Sequence, residues 1–208
     1  MVFADSCDHR EHPGDAAAPV ALKVLVAGGL GVGKTTLVGS VSEVGPLRTE
    51  EVLAGARLPA GGLGGTAEAG VRGTATVAMD FGRITLNETL TLCILGAPGQ
   101  GRFRPLWDEL AQGALGAVVL ADARRLEDCL DAVDCFERHA VPFAVAVNRF
   151  DGAGHLPAEA VRAALGLDEA VPVLRCDVRE RDSAREVLAS VVEHAMLTGA
   201  ARRRGPAT

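Results

Sequence analysis

The chain opens its patterned part with "VALKVLVAGG", residues 20–29, a short and nearly continuous apolar run closed by glycines. A strand buried on both faces reads this way, and the following "KTTLVGSVSEV" continues as a helix until Gly45-Pro46 stops it. "TATVAMDFGRITL" and "TLTLCIL" are β-prone runs hinged at Asn87-Glu88, which predicts a hairpin, and a short helix fits "FRPLWDELAQG". The remainder alternates. Strands are predicted at "GAVVLAD", "PFAVAVN" and "PVLRCDV", and helices over 124–139, 157–166 and 182–197. Leu126, Leu130, Val133 and Phe136 recur at helical spacing, as do Val187, Leu188, Val191, Val192 and Met196, so both helices have a core face. This order predicts an α/β fold with a mainly parallel six-stranded sheet, helices on both sides and one antiparallel edge strand from the hairpin. Between the first helix and the hairpin, residues 47–73 are glycine-rich, with only a brief helical patch at "EEVLAGARL". Long unpatterned stretches inside a compact domain are usually functional or mobile.

Bulk properties narrow the classes. A length of 208 residues suits one domain with a core of its own: 20–198 is the folded unit, 1–19 a disordered lead, and 199–208 a disordered basic tail. The net charge of −6 argues against a nucleic-acid binder, and Arg202-Arg203-Arg204 is the one basic cluster. No apolar run reaches the roughly 18 residues a membrane span needs, and neither a leader nor a lipidation signal is legible, so no direct membrane anchor is expected. The five cysteines include no CxxC pair and suit reduced thiols in a cytoplasmic protein. Cys7, His9 and His12 offer three metal donors, but in an aperiodic lead they favour a solvated segment over a site.

One local signal carries chemistry. "GGLGVGKTT", Gly28 to Thr36, contains G-x-x-x-x-G-K-T between the predicted strand and helix. In such a loop the backbone of Gly28, Gly29, Leu30, Gly31, Val32 and Gly33 wraps a phosphate with its N–H groups, Lys34 reaches the terminal phosphates, and the Thr35 hydroxyl ligates Mg²⁺. Thr36 continues the helix N-terminus that favours the anion. Composition agrees independently: of 21 basic residues only Lys23 and Lys34 are lysine, leaving 19 arginines. A lysine held at 34 against that bias points to a compact point charge where arginine's flat fork does not fit.

On these motifs the chain resembles the Ras-like small GTPases over residues 20–198, with strand, phosphate loop, helix, hairpin, Gly-Gln loop and base-reading loop in the same order. "TVAMDFGRI" and "LGAPGQGRFRPLWDEL" resemble the bacterial branch most, namely the actinobacterial conservon-type small GTPases encoded beside a sensor kinase and a Roadblock-type protein, relatives of MglA. The resemblance implies a P-loop NTPase fold, a Ras-like three-layer sandwich. It implies GTP or GDP as ligand, Mg²⁺ as cofactor, and a Roadblock/LC7-type regulatory partner within a sensor-kinase-associated complex. Carried over by position, Thr76 closes on the metal, the Gly99 N–H senses the γ-phosphate, and Gln100 orients the attacking water. "NRFD" supplies Asn148, Arg149 and Asp151 for guanine, and Asp177 and Val178 fall in the last guanine loop. A carboxylate at 151 accepts both guanine N1–H and N2–H, a donor pair that adenine lacks.

Two positions depart from the pattern. Arg149 stands for a lysine, and Gly96 for the aspartate that grips the metal through a water. Asp80 sits on the hairpin, with no sequence feature placing it at the metal. The reading is a slow regulatory GTPase whose switch segments span 70–80 and 97–108. Arg72, Arg102 and Arg104 are candidates for an internal arginine finger, against surface arginines. Trp107 and Phe103 are core residues or partner anchors. The alternatives are a nucleotide-binding module with little hydrolysis, and an ATP-dependent enzyme. A partitioning ATPase would need lysine where the chain has Gly29.

Overall fold

The first apolar run forms the central strand of the sheet. The computed structural model describes residues 19–45, 47–53, 75–99, 104–152, 154 and 156–204. Within them the strands are β1 (Val20–Gly28), β2 (Leu47–Leu53), β3 (Ala75–Asn87), β4 (Leu90–Gly96), β5 (Gly116–Asp122), β6 (Phe143–Asn148) and β7 (Val173–Cys176). They form one sheet in the order β2-β3-β4-β1-β5-β6-β7. β1, β4, β5, β6 and β7 run parallel to one another, and β3 runs against β4.

The six expected strands are present, and the hairpin supplies the antiparallel one. A seventh strand extends the sheet: β2 pairs antiparallel with β3 from Leu47↔Phe81 to Leu53↔Ala75, so β3 is not the edge. Residues 50–53, read as the start of a helical patch, are therefore strand. The 13-residue β3 presents a full row of backbone donors and acceptors, and pairing those groups outweighs a weak local helical preference. The rest of the patch, 54–58, lies outside the described residues.

Helices cover both faces. α1 (Lys34–Val41) and α5 (Arg181–Arg204) pack against Val24, Val26, Val118 and Leu120, while α2 (Arg104–Ala111), α3 (Leu130–Arg138) and α4 (Ala158–Leu165) cover Leu25, Ala27, Val119 and Val145. Successive residues of β1 and β5 thus enter opposite cores, the reason both strands read as unbroken apolar runs. Leu37 and Phe136 are buried in these two cores, and truncating either to alanine costs about 2–5 kcal/mol. The helix predicted over 124–139 begins as a 3-10 turn, Leu126–Cys129, before α3. α5 runs past 197 into the basic tail. The hairpin turns where predicted, with the Asn87 side chain accepting the Thr89 backbone N–H at 2.9 Å. The loops after β1, β5, β6 and β7 all leave the carboxyl ends of parallel strands, where sheets of this kind bind ligands.

Candidate functional site

The phosphate loop is shaped by two glycines that no other residue could replace. Gly28 has φ +135°, and a Cβ there would lie 2.1 Å from the Leu120 carbonyl oxygen; Gly33 has φ +107°, and a Cβ would meet the Asn148 amide at 2.9 Å. Leu30, Gly31, Thr35 and Thr36 line the resulting hollow and face solvent, while Val32 is buried as the loop's anchor. Gly29 packs so closely on Asp128 that a Cβ would fall 2.8 Å from that residue's own, which shuts out a lysine at 29. Lys34 Nζ donates to the carbonyls of Gly28 at 3.0 Å and Gly29 at 2.6 Å. Its burial lowers the lysine pKa, and Asp80 opposes that shift. Gly99 approaches from the loop after β4, where a Cβ would lie 2.5 Å from Lys34 Nζ. The structure thus brings the phosphate loop, Lys34 and Gly99 together.

Beside them stands a carboxylate that the sequence did not single out. The Thr35 hydroxyl donates to Asp80 Oδ2 at 2.5 Å, and Asp80 lines the same hollow as Lys34, Gly96 and Gly99. Asp80 is paired with Gly96 across β3 and β4. A Cβ on Gly96 would sit 3.1 Å from the Asp80 Cβ and 3.3 Å from its Oδ2. The missing aspartate of β4 and the Asp80 side chain therefore claim one space, and the absence of the first makes room for the second. The sequence offered no feature that places Asp80 beside Thr35 and Lys34; the structure puts it there. A hydroxyl and a carboxylate oxygen this close form the hard, all-oxygen donor set that Mg²⁺ takes, so the residues present fit that ion.

At the other end, Asn148 is 5% exposed and its amide is used for scaffolding. Nδ2 donates to the Val32 carbonyl at 3.0 Å, and Oδ1 accepts the Val178 backbone N–H at 3.2 Å. One side chain thereby ties the phosphate loop to the β7–α5 turn. Arg149 donates its backbone N–H to the Cys176 carbonyl at 2.8 Å and leaves its side chain exposed. A cavity of about 210 Å³ opens here between Asn148, Arg149, Phe150, Cys176 and Asp177. Asp151, next in the chain after Phe150, is almost fully exposed, with Arg179 Nη2 3.8 Å away. Arg179 also grips Asp177 and holds its carboxyl down to about 2. The buried Asp122 takes the Arg124 fork at 2.9 and 2.6 Å, and that guanidinium lies 4.8 Å from the Phe150 ring, steadying the strand end that leads to Asp151. Burial pushes the Cys129 thiol up to about 11 and Cys176 up to about 12, so both stay protonated as packing groups.

The remaining predicted positions divide. Thr76 lies in β3 opposite Val52, its backbone alone described, and Arg104 is described only as the first residue of α2. Gln100, Arg72, Arg102, Phe103 and the Cys7, His9 and His12 set lie outside the described residues. Trp107 is core, and its indole N–H reaches the Pro98 carbonyl at 3.0 Å, tying α2 to the loop that carries Gly99. Asp108 on α2 accepts from His139 at 2.9 Å and Arg138 at 3.2 Å, with Cys135 nearby.

None of the helices among the described residues is long and apolar enough to cross a membrane. In fold the chain is similar to the G domain of the T. maritima FeoB iron transporter, with a TM-score of 0.55 and 20% identity, covering 85% of this chain and 99% of that one. It is similar also to the FeoB G-domain from Methanococcus jannaschii, with a TM-score of 0.55 and 14% identity, covering 85% and 98%. The fold is the α/β fold of P-loop NTPases. None of the curated proteins matches the chain. The family described as "Conserved hypothetical ATP binding protein" matches residues 62–198, a span that begins after the phosphate loop and takes in Asp80, Gly96, Gly99 and both base-end loops, and the chain belongs to that family.

Proposed function

We propose that the chain binds GTP and GDP with Mg²⁺ and hydrolyses GTP slowly, acting as a nucleotide-dependent switch. The observation that carries this reading is the Asn148 brace, which joins a Lys34-bearing phosphate loop to a loop offering the Asp151 carboxylate. Lys34, the loop N–H groups and the start of α1 receive the phosphates. Thr35 and Asp80, with Thr76, hold the metal, which when bound supplies positive charge to the β- and γ-phosphate oxygens. Gln100 orients the water, and Asp151 accepts the guanine donor edge, with Arg149, Asp177 and Val178 around the base. Gly99 rests against Lys34 and joins Trp107 through Pro98, so a γ-phosphate at Lys34 displaces a loop that α2 feels directly. Asp80 favours a functioning metal site and therefore turnover over a module without hydrolysis. The conservon-type branch, and with it a Roadblock-type partner, rests on the sequence resemblance of "TVAMDFGRI" and "LGAPGQGRFRPLWDEL".

A second reading, an ATP-binding protein, is favoured by the family to which the chain belongs. The two part at the base. Displacement of a fluorescent GDP by unlabelled GTP and ATP, in wild type and Asp151→Asn, separates them. The GTPase reading expects strong GTP preference that the variant loses; equal displacement by ATP in wild type overturns it.

A further inference from the structure

The base end carries one group too many. Guanine is read through two parallel N–H donors on one edge, N1–H and N2–H, both taken by a carboxylate. An arginine fork presents the same pattern: two parallel N–H donors on a flat, delocalised edge that fits a carboxylate in bidentate fashion. Arg179 presents that edge to Asp177, with Asp151 beside it. Its Nε donates to Asp177 Oδ1 at 2.8 Å and its Nη2 to Oδ2 at 2.7 Å, while the same Nη2 lies 3.8 Å from Asp151 Oδ1. Its backbone N–H adds a third bond to Asp177 Oδ1 at 3.1 Å.

We propose that Arg179 is a built-in competitor of guanine, its guanidinium anchored on Asp177 and standing against the Asp151 carboxylate until a guanine base displaces it from there. This rests on the guanine reading given above. Arg179 stands in the turn between β7 and α5 and is about half exposed, so its side chain can swing into solvent without disturbing either core. Asp177 itself is fixed, because its backbone N–H donates to Ser183 Oγ at 3.0 Å. The Asp177 backbone is thus held in place, while the Arg179 side chain can move. Each binding event breaks an ion pair that reforms when the base leaves, so Arg179 weakens guanine binding and hastens release of GDP. Adenine presents no donor pair for these carboxylates and gains nothing from the competitor's removal.

The test uses the full chain with saturating Mg²⁺ and fluorescent GDP as the probe, following association, dissociation and displacement. Arg179→Ala is expected to bind the probe roughly two- to fivefold tighter and release it more slowly, the range that a partly exposed ion pair allows. Displacement by ATP stays at its wild-type value. Arg179→Lys keeps the charge and loses the flat double donor, so it follows the alanine variant. Weaker or unchanged probe binding in Arg179→Ala, or a lysine variant indistinguishable from wild type, overturns the proposal. If instead ATP displaces the probe as well as GTP does in both proteins, the guanine reading itself has failed. If GTP is preferred in both and Arg179→Ala changes nothing, only the competitor has.

Discussion

On the proposed function, the phosphate end and the base end of this molecule are built in opposite ways. At the base end the polar groups come from loops after adjacent parallel strands, β6 and β7, and the Asn148 side chain locks them to the phosphate loop. At the phosphate end the carboxylate arrives from a neighbouring strand, Asp80 of β3, filling space that Gly96 of β4 leaves open. If Asp80 serves the metal as proposed, a functional group has changed strands without moving in space, its replacement standing directly opposite a position that gives up its side chain.

The comparison breaks first at Lys34. Lys34→Ala is expected to weaken GDP binding about 100-fold or more, since charge-assisted bonds to phosphate have no substitute in the loop. Retained affinity, read by displacement of fluorescent GDP, would place the phosphates elsewhere. Next, Asp80→Asn should lower Mg²⁺-dependent nucleotide affinity by about 10- to 100-fold. Restoring the aspartate as Gly96→Asp brings no gain while Asp80 is present, because the two side chains collide and repel. The pair Asp80→Ala with Gly96→Asp should recover part of the metal dependence. A magnesium titration in which Asp80→Asn matches wild type would remove the idea of a carboxylate moved between strands.

Asn148→Ala tests the link between the two ends. It leaves the Val32 carbonyl and the Val178 N–H without their buried partner, an expected loss of about 1–3 kcal/mol in denaturant unfolding. Stability equal to wild type would show the brace to be dispensable. Trp107, the one tryptophan in the chain, reports on the switch without a label. Its fluorescence should differ between the GDP and GTP-analogue states, because its indole is bonded to the loop that carries Gly99; identical spectra would argue against movement there.

The smallest effect concerns acid. Arg179 depresses the Asp177 carboxyl from its ordinary 3.8 to about 2. A depressed carboxylate contributes stability that is complete above its unfolded value and lost as the pH falls through the folded one. The contribution of this pair should therefore fade only between about pH 4 and pH 2, and Arg179→Ala should flatten that limb of the unfolding curve slightly. A loss appearing already near neutrality would belong to other groups.

Much of this was legible in the sequence because it is local. The G-x-x-x-x-G-K-T spacing identifies the phosphate loop, since its glycines answer to backbone angles and close approaches that adjacent residues impose. The unbroken apolar runs of β1, β5 and β6 mark strands buried on both faces, and periodic helices between strands imply a parallel sheet. β2 was not legible, because its strand state answers to pairing with β3 rather than to its own residues.

Asp80 shows the limit most sharply. Counting back from the turn, where Asn87 pairs with Leu90, a regular ladder would set Asp80 opposite Ala97. A shift between Thr85 and Asn87 moves the register by one residue and sets Asp80 opposite Gly96 instead. Because side chains alternate between faces, one residue decides which neighbours a strand position meets. Arg179 is a mixed case: its fork on Asp177, two residues away, is local, and only folding brings Asp151 of the neighbouring loop to 3.8 Å from its Nη2. The sequence by itself determined the strands, helices and phosphate loop, whose causes lie within a few residues. The tertiary structure decided which carboxylate meets Thr35 and which cation stands beside Asp151, because those depend on register and on distances between segments far apart in the chain.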